Sequence, residues 1–220
     1  MPVDVYFLSL GSNKGDRQRY LKEALSRLAN LAGPELALVA PAAVCRRIRV
    51  LAVASLYETS PVGYTEQADF LNTAVAVATD MEPPVMLALC KRIEEVMGRA
   101  TPFRWGPREI DLDLIWWGEV TGGEEPGDGG DGRLRACWVE RKWESPALVI
   151  PHPRATERLF VLIPLAEIAP GLPIHGRPVE SWIASLTQTS QQVNHLLGAG
   201  LPGQKQAVRK IAAADWHTSG

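Results

Sequence analysis

Residues 104–117 read RWGPREIDLDLIWW. After the Gly106-Pro107 turn, Ile110–Trp117 is apolar except at Asp111 and Asp113, which reads as a strand. Alternate side chains of a strand share a face. Both carboxylates therefore point one way, and Leu112, Leu114 and Trp116 point the other, into a helix layer. Two like charges about 7 Å apart repel by about 2 kcal/mol at an effective dielectric of roughly 20, so something positive should offset them. Two readings do this. The pair binds a hard divalent cation such as Mg²⁺, which takes one or two protein carboxylates together with substrate phosphates. Alternatively, the aspartates are solvated or paired with Arg108. A D-x-D spacing alone does not choose between them.

The elements before this strand set its place in the fold. Val3–Leu10 is a short apolar run ending at Gly11-Ser12-Asn13, a strand followed by a turn. Asp16 can cap a helix whose Tyr20, Leu21, Ala24, Leu25, Leu28 and Leu31 recur at helical spacing before Gly33-Pro34 stops it. Arg49–Thr59 reads as a second strand, broken at Pro61-Val62-Gly63, and Phe70–Thr79 as a third. Pro83 opens a second helix that ends at Gly98. The order β-α-β-β-α-β predicts an α+β, ferredoxin-like core. Its antiparallel sheet should carry both helices on one face and leave the other face free for a site.

The 220 residues are 46% hydrophobic with a net charge of -2, which favours one globular domain and argues against a basic nucleic-acid footprint. The three cysteines, Cys45, Cys90 and Cys137, are scattered and suggest no disulfide framework or metal site. The N-terminus has neither a basic flank nor a long apolar run, so a cytoplasmic chain without a membrane span is expected. Residues 119–147 hold the acidic, glycine-rich run GGEEPGDGGDG and read as a solvated insertion, with Trp138 and Trp143 marking a part that docks. The domain is expected to span residues 1–186. Residues 187–220 then form a polar extension, partly helical or disordered.

The cationic neighbours sharpen the reading of the aspartates. Arg99, Arg104 and Arg108 precede the carboxylate strand, and guanidinium forks suit phosphate oxygens. A cationic loop beside paired carboxylates is what a Mg-nucleotide site needs. No GxxxxGK[ST] is present, and GAGLPG at 198–203 follows a helical pattern instead of a strand, so neither common nucleotide motif applies. His152, between two prolines in IPHPR, reads equally as a phosphate contact or a turn residue. Asn72 sits mid-strand, where an amide needs hydrogen-bond partners. It shares a face with Phe70, a combination that suits a flat heteroaromatic ligand or an ordinary edge strand.

Taken together, LSLGSNKGDR, YETSPVG, DFLNTAV, RIEEVMGR, RWGPREIDLDL and IPHPRATERLFVLIPLAEIAP resemble the 6-hydroxymethyl-7,8-dihydropterin pyrophosphokinase family of folate biosynthesis. The stretches come in the family's order and cover most of residues 6–170. The resemblance implies transfer of pyrophosphate from ATP to the pterin hydroxymethyl group, with release of AMP. It implies that Asp111 and Asp113 hold two Mg²⁺ ions and that Arg99 and Arg108 stabilise the transferred charge. Lys91, Glu94, Arg104, Trp105, Ile115, His152 and Arg158 would complete the ATP site. Pro61, Val62, Gly63, Phe70, Asn72, Trp105 and Phe160 would form the pterin site. The enzyme so implied is a monomer acting on small molecules, with neither nucleic acid nor membrane as partner. The alternative from another class is a non-enzymatic ferredoxin-like module that binds nucleotide or RNA. Such modules display a basic face, which two aspartates on the open face oppose.

Overall fold

The central strand β1 (Asp4–Ser12) alternates between two apolar layers. Tyr6, Leu8 and Leu10 enter one core, and Val5 and Phe7 enter a second on the opposite face. A strand buried on both faces reads as a continuous apolar run, and β1 does. The computed structural model describes residues 4–30, 48–61, 64–99, 106–121, 133–134, 136–197 and 207–218. Leu31, the Gly33-Pro34 stop, Cys45, Val62, Gly63, Arg104, Trp105, the whole GGEEPGDGGDG run and the GAGLPG stretch lie outside these residues.

β1 is flanked by two antiparallel partners, β4 (Phe70–Thr79) and β5 (Asp111–Val120). β2 (Ile48–Val53) and β3 (Leu56–Thr59) both pair with β4. The single strand expected over 49–59 is thus broken at Ala54-Ser55. There the backbone N–H and hydroxyl of Ser55 turn away from the ladder and donate to Glu167 at 2.8 and 2.6 Å. The path through the sheet runs β11-β3-β4-β1-β5-β6. β6 is Trp138–Glu140 and β11 is Val208–Ala212, so both ends of the sheet come from segments outside the expected core.

The first core lies under α1 (Arg17–Ala29) and α2 (Pro83–Val96). Asp16 caps α1 by accepting from the Arg19 N–H at 3.1 Å, and Leu21, Ala24, Leu25 and Leu28 face inward. In α2 the inward face is Met86, Leu89, Cys90 and Ile93, and Gly98 follows with φ +79. These two helices share a face, as the sequence predicts.

The opposite face is not left free. α3 (Leu159–Ile168) and α4 (Val179–Leu197) pack over it, with Val161, Leu162, Leu165 and Val179 buried among Phe7, Ala74, Ala76 and Trp116. This second layer comes from the chain beyond β5, which the βαββαβ pattern does not include. The boundary expected at 186 falls inside α4.

A bulge corrects one detail of β5. Leu114 pairs with Leu8 and Trp116 with Phe7, which leaves Ile115 as the extra residue. Leu112, Leu114 and Trp117 therefore enter the first core, whereas Ile115 and Trp116 enter the second. Strict alternation sends Trp116 to the wrong layer. At the end of the insertion, β7 (Trp143–Ser145) forms a hairpin with β8 (Leu148–Ile150), which lies just beyond it, and Trp138 and Trp143 dock against the two cores. β9 (Pro173–Ile174) and β10 (Arg177–Pro178) form a small ribbon before α4.

Candidate active site

The second helix layer stops short of one end of the sheet, and the exposed end is the floor of a cavity of about 490 Å³. Register builds that floor. Gly11 lies opposite Asn72 on one side and Asp111 on the other, and Ser9 lies opposite Asp113. Directly opposed residues share a face, so Asn72, Gly11 and Asp111 form one row across three strands, and Asp113 stands on the same face in the next row, opposite Ser9. A side chain at Gly11 would put its Cβ 2.8 Å from Asn72 Oδ1. Glycine keeps the middle of the row low.

One end of the cavity is cationic. Asp111 Oδ1 pairs with Arg99 at 2.9 Å and Oδ2 with Arg108 at 2.7 Å. Asp113 has a weaker partner, Arg158, at 3.8 Å. Burial, then the neighbouring Asp111, push the Asp113 carboxyl up to about 6. Burial disfavours its charged form, and the nearest guanidinium does not offset that. The donor set suits a hard cation: two carboxylates on one face, the second short of positive charge. Among the described residues no three His, Cys, Asp or Glu side chains group as a metal cluster, so an ion here would take the rest of its shell from water or substrate.

Behind this wall stands Glu94, which is buried. It accepts from the Leu112 N–H at 2.7 Å and from Lys91 Nζ at 3.0 Å, and it pairs with Arg99. A single carboxylate thereby ties α2 to β5 and aims two cations into the cavity. Glu94 does not itself line the cavity.

His152 enters from the loop after β8. Its backbone N–H donates to the Ile115 carbonyl at 2.9 Å, so the bulge residue anchors the loop while its own side chain stays in the second core. His152 Nδ1 accepts from the Arg154 N–H at 3.1 Å. Burial, with Arg158 and Arg154 nearby, lowers the imidazole to about 4. A neutral ring whose Nδ1 accepts carries its proton on Nε2, which makes it a donor.

The other end is less charged. Asn72 Nδ2 donates to Thr59 Oγ1 at 2.7 Å. Phe70, Gln67 and Phe160 complete this end, and the Arg158 guanidinium lies 5.7 Å from the Phe160 ring centroid. A flat, polar-edged ring would find apolar faces and an amide here.

Residues 7–170 match the family 7,8-dihydro-6-hydroxymethylpterin-pyrophosphokinase (HPPK). The chain belongs to the HPPK family. It is 38% identical to the 2-amino-4-hydroxy-6-hydroxymethyldihydropteridine pyrophosphokinase of Bacillus subtilis, over 75% of this chain and 78% of that protein. The enzyme of the same name from Methylorubrum extorquens is also 38% identical, over 82% of this chain and 92% of that one. Among solved structures, wild-type Plasmodium falciparum HPPK-DHPS superposes with a TM-score of 0.58 at 16% identity. That match covers 95% of this chain and 47% of the other, so the chain spans about half its length.

Lys91, Arg99, Arg108, Asp111, Asp113, His152, Arg158, Phe70, Asn72 and Phe160 converge on the one cavity. Glu94 and Ile115 stand behind its wall, and Pro61 follows Ser60 at its rim. Asn13 is absent from the sequence-based set. Its Oδ1 accepts from the Arg108 N–H at 2.9 Å, and its Nδ2 donates to Gln67 Oε1 at 2.9 Å and the Ala68 carbonyl at 3.1 Å. It links the two ends of the site. The signal was a polar residue directly after a buried strand, which reads as an ordinary turn. Lys14 pairs with the buried Glu109 in the same loop pair.

Proposed function

We propose that this chain transfers the pyrophosphoryl group of ATP to the hydroxymethyl oxygen of 6-hydroxymethyl-7,8-dihydropterin in folate synthesis and releases AMP. One observation carries the reading. The Asp111–Asp113 pair shares a single cavity and sheet face with Asn72, with cations gathered at one end and aromatic rings at the other.

ATP fits the cationic end. Arg99, Arg108 and Lys91 meet the phosphates, and His152, through Nε2–H, and Arg158 donate to the nucleotide. Asp111 and Asp113 would hold two Mg²⁺ ions. When bound, these ions neutralise phosphate charge and polarise the oxygens about the bond that breaks. The pterin fits the other end, its edge on Asn72 and its ring beside Phe160 and Phe70. The hydroxymethyl oxygen bonds to the β-phosphorus. The bond from that phosphorus to the α-β bridging oxygen breaks, AMP leaves with the electron pair, and the hydroxyl proton passes to solvent. No strong base is needed if both substrates are held in line, since positioning can supply roughly 7–11 kcal/mol.

The strand order β3-β4-β1-β5, with α1 and α2 on one face, supports assigning the core to the ferredoxin-like class. The enzyme in this reading is a cytoplasmic monomer without a nucleic-acid partner, consistent with a net charge of -2. Among the described residues no helix is long and apolar enough to cross a membrane. The RNA-binding alternative is not favoured, because the family that the chain matches and its named relatives are pyrophosphokinases.

Calorimetry with a non-hydrolysable ATP analogue tests the site. Binding should require Mg²⁺, and pterin should bind tightly once the nucleotide is in place. Equal nucleotide affinity with and without Mg²⁺ would count against it.

A further inference from the structure

The family match ends at residue 170, yet the chain returns to the sheet almost forty residues later. β11 pairs with β3, setting Val208 opposite Thr59, Arg209 opposite Glu58 and Lys210 opposite Tyr57. β3 has only four residues and would otherwise be an open edge. It is also the strand that carries Thr59, the acceptor for the Asn72 amide.

Beyond β11, Trp216 is buried in the first core. Its indole N–H donates at 2.9 Å to the Ala54 carbonyl, at the break between β2 and β3. The same carbonyl accepts from the Thr73 hydroxyl at 2.9 Å. The tail is therefore fastened on both sides of β3, by strand pairing at one end and by a buried ring at the other.

Two side chains of β11 reach opposite faces. Lys210 Nζ donates to Glu167 Oε1 at 2.7 Å. Glu167 lies on α3, the helix that carries Phe160, and also accepts from Ser55 and, at 3.0 Å, from the Tyr57 hydroxyl. Arg209 donates to Glu58 at 2.5 Å, and Glu58 pairs with Arg17 at 3.2 Å. Arg17 in turn donates to the Asp69 carbonyl at 2.7 Å, beside Phe70. The exposed ion pairs alone are weak. Most of the hold comes from the strand pairing and Trp216, and the charges set where α3 and the 69–70 backbone sit against it. These contacts run to β3, Ala54 and α3, whereas Asp111 at the other end is held by Arg99 and Arg108.

We infer that residues 207–218 form a brace that positions the pterin end of the cavity, with Lys210 and Trp216 as positioning residues for pterin and not for nucleotide. This rests on the proposed assignment of the two ends. The test uses full-length Trp216→Ala and Lys210→Met variants and two ligands that need no turnover, an oxidised hydroxymethylpterin and a Mg-bound non-hydrolysable ATP analogue. Trp216→Ala should weaken pterin roughly tenfold, as small displacements of positioning groups do, and leave nucleotide affinity within about twofold. Lys210→Met, which keeps the core intact, should show the same selectivity at smaller size, and Lys210→Arg should restore it. Unchanged binding of both ligands, or equal loss of both in step with a fall in Tm, would overturn the brace while leaving the proposed reaction intact. Should Trp216→Ala fail to fold, an unselective Lys210→Met variant is enough to overturn it. A wild-type chain that binds nucleotide but no pterin would overturn both readings.

Discussion

Arg108 Nη1 lies 2.7 Å from Asp111 Oδ2, three residues along the chain, while Arg99 holds the other oxygen at 2.9 Å. The cations written just before the carboxylate strand therefore have a partner without any ligand. Both readings of the sequence meet here. The ion pairs hold the Asp111 carboxylate in place, and the same guanidiniums are the groups proposed to meet phosphate oxygens.

The two aspartates should respond differently to substitution. Asp111→Asn and Asp113→Asn should each cut turnover by roughly 10²-fold or more. Only Asp111→Asn should lower Tm, since it leaves Arg99 and Arg108 facing each other. Asp113→Asn should hold or raise Tm at pH 7, because burial already disfavours that carboxylate's charge. Thermal melts of both variants check this, and a matching fall in Tm for Asp113→Asn would contradict it.

Asn72→Ala should weaken pterin by about 1–3 kcal/mol, the cost of an unmet hydrogen-bonding edge, with little change for nucleotide. Gly11→Ala should act in the same direction, since its Cβ would lie 2.8 Å from Asn72 Oδ1. Separate titrations of the two ligands decide it. Nucleotide affinity falling while pterin affinity holds would exchange the two ends.

His152 makes stability pH-dependent. Its folded value, about 4, lies below the ordinary 6.5, so the unfolded chain binds more protons between them. The contribution is complete above about pH 6.5 and is lost as pH falls towards 4. Asp113, raised from 3.8 to about 6, contributes the opposite slope over part of that window. Comparing His152→Gln with wild type isolates the histidine. Denaturant melts should show a shallower loss on acidification in the variant, and parallel curves would contradict the buried neutral imidazole.

The acidic run within 122–132 should be dispensable. Its base is already closed by the Thr121 N–H donating to the Cys137 carbonyl at 2.9 Å. A short Gly-Ser replacement should leave turnover within a few fold. A hundredfold loss with the fold intact would place the run in the site.

The parts of this molecule that obey a period were legible from the chain. The β4 boundaries, both helices of the first layer and the shared face of Asp111 and Asp113 follow from alternation, capping and turn residues. What was hidden depends on partners far away in sequence. The break at Ala54-Ser55 needs Glu167 and Trp216, and the bulge at Ile115 needs the register of β1. Glu94 reads as one more charge on a helix until Leu112 and Arg99 close around it. The β11 pairing carries too little apolar content to distinguish it from a polar tail.

The most direct test is the identity of the nucleotide product. An ordinary kinase opens the bond to the γ-phosphorus and releases ADP, whereas pyrophosphoryl transfer opens the bond between the α and β phosphates. The enzyme is incubated with MgATP and 6-hydroxymethyl-7,8-dihydropterin, and the nucleotides and pterins are separated. AMP and a pyrophosphorylated pterin should accumulate in equal amounts, only when both substrates and Mg²⁺ are present. Stoichiometric ADP with a monophosphorylated pterin, or AMP formed without pterin, would contradict the account.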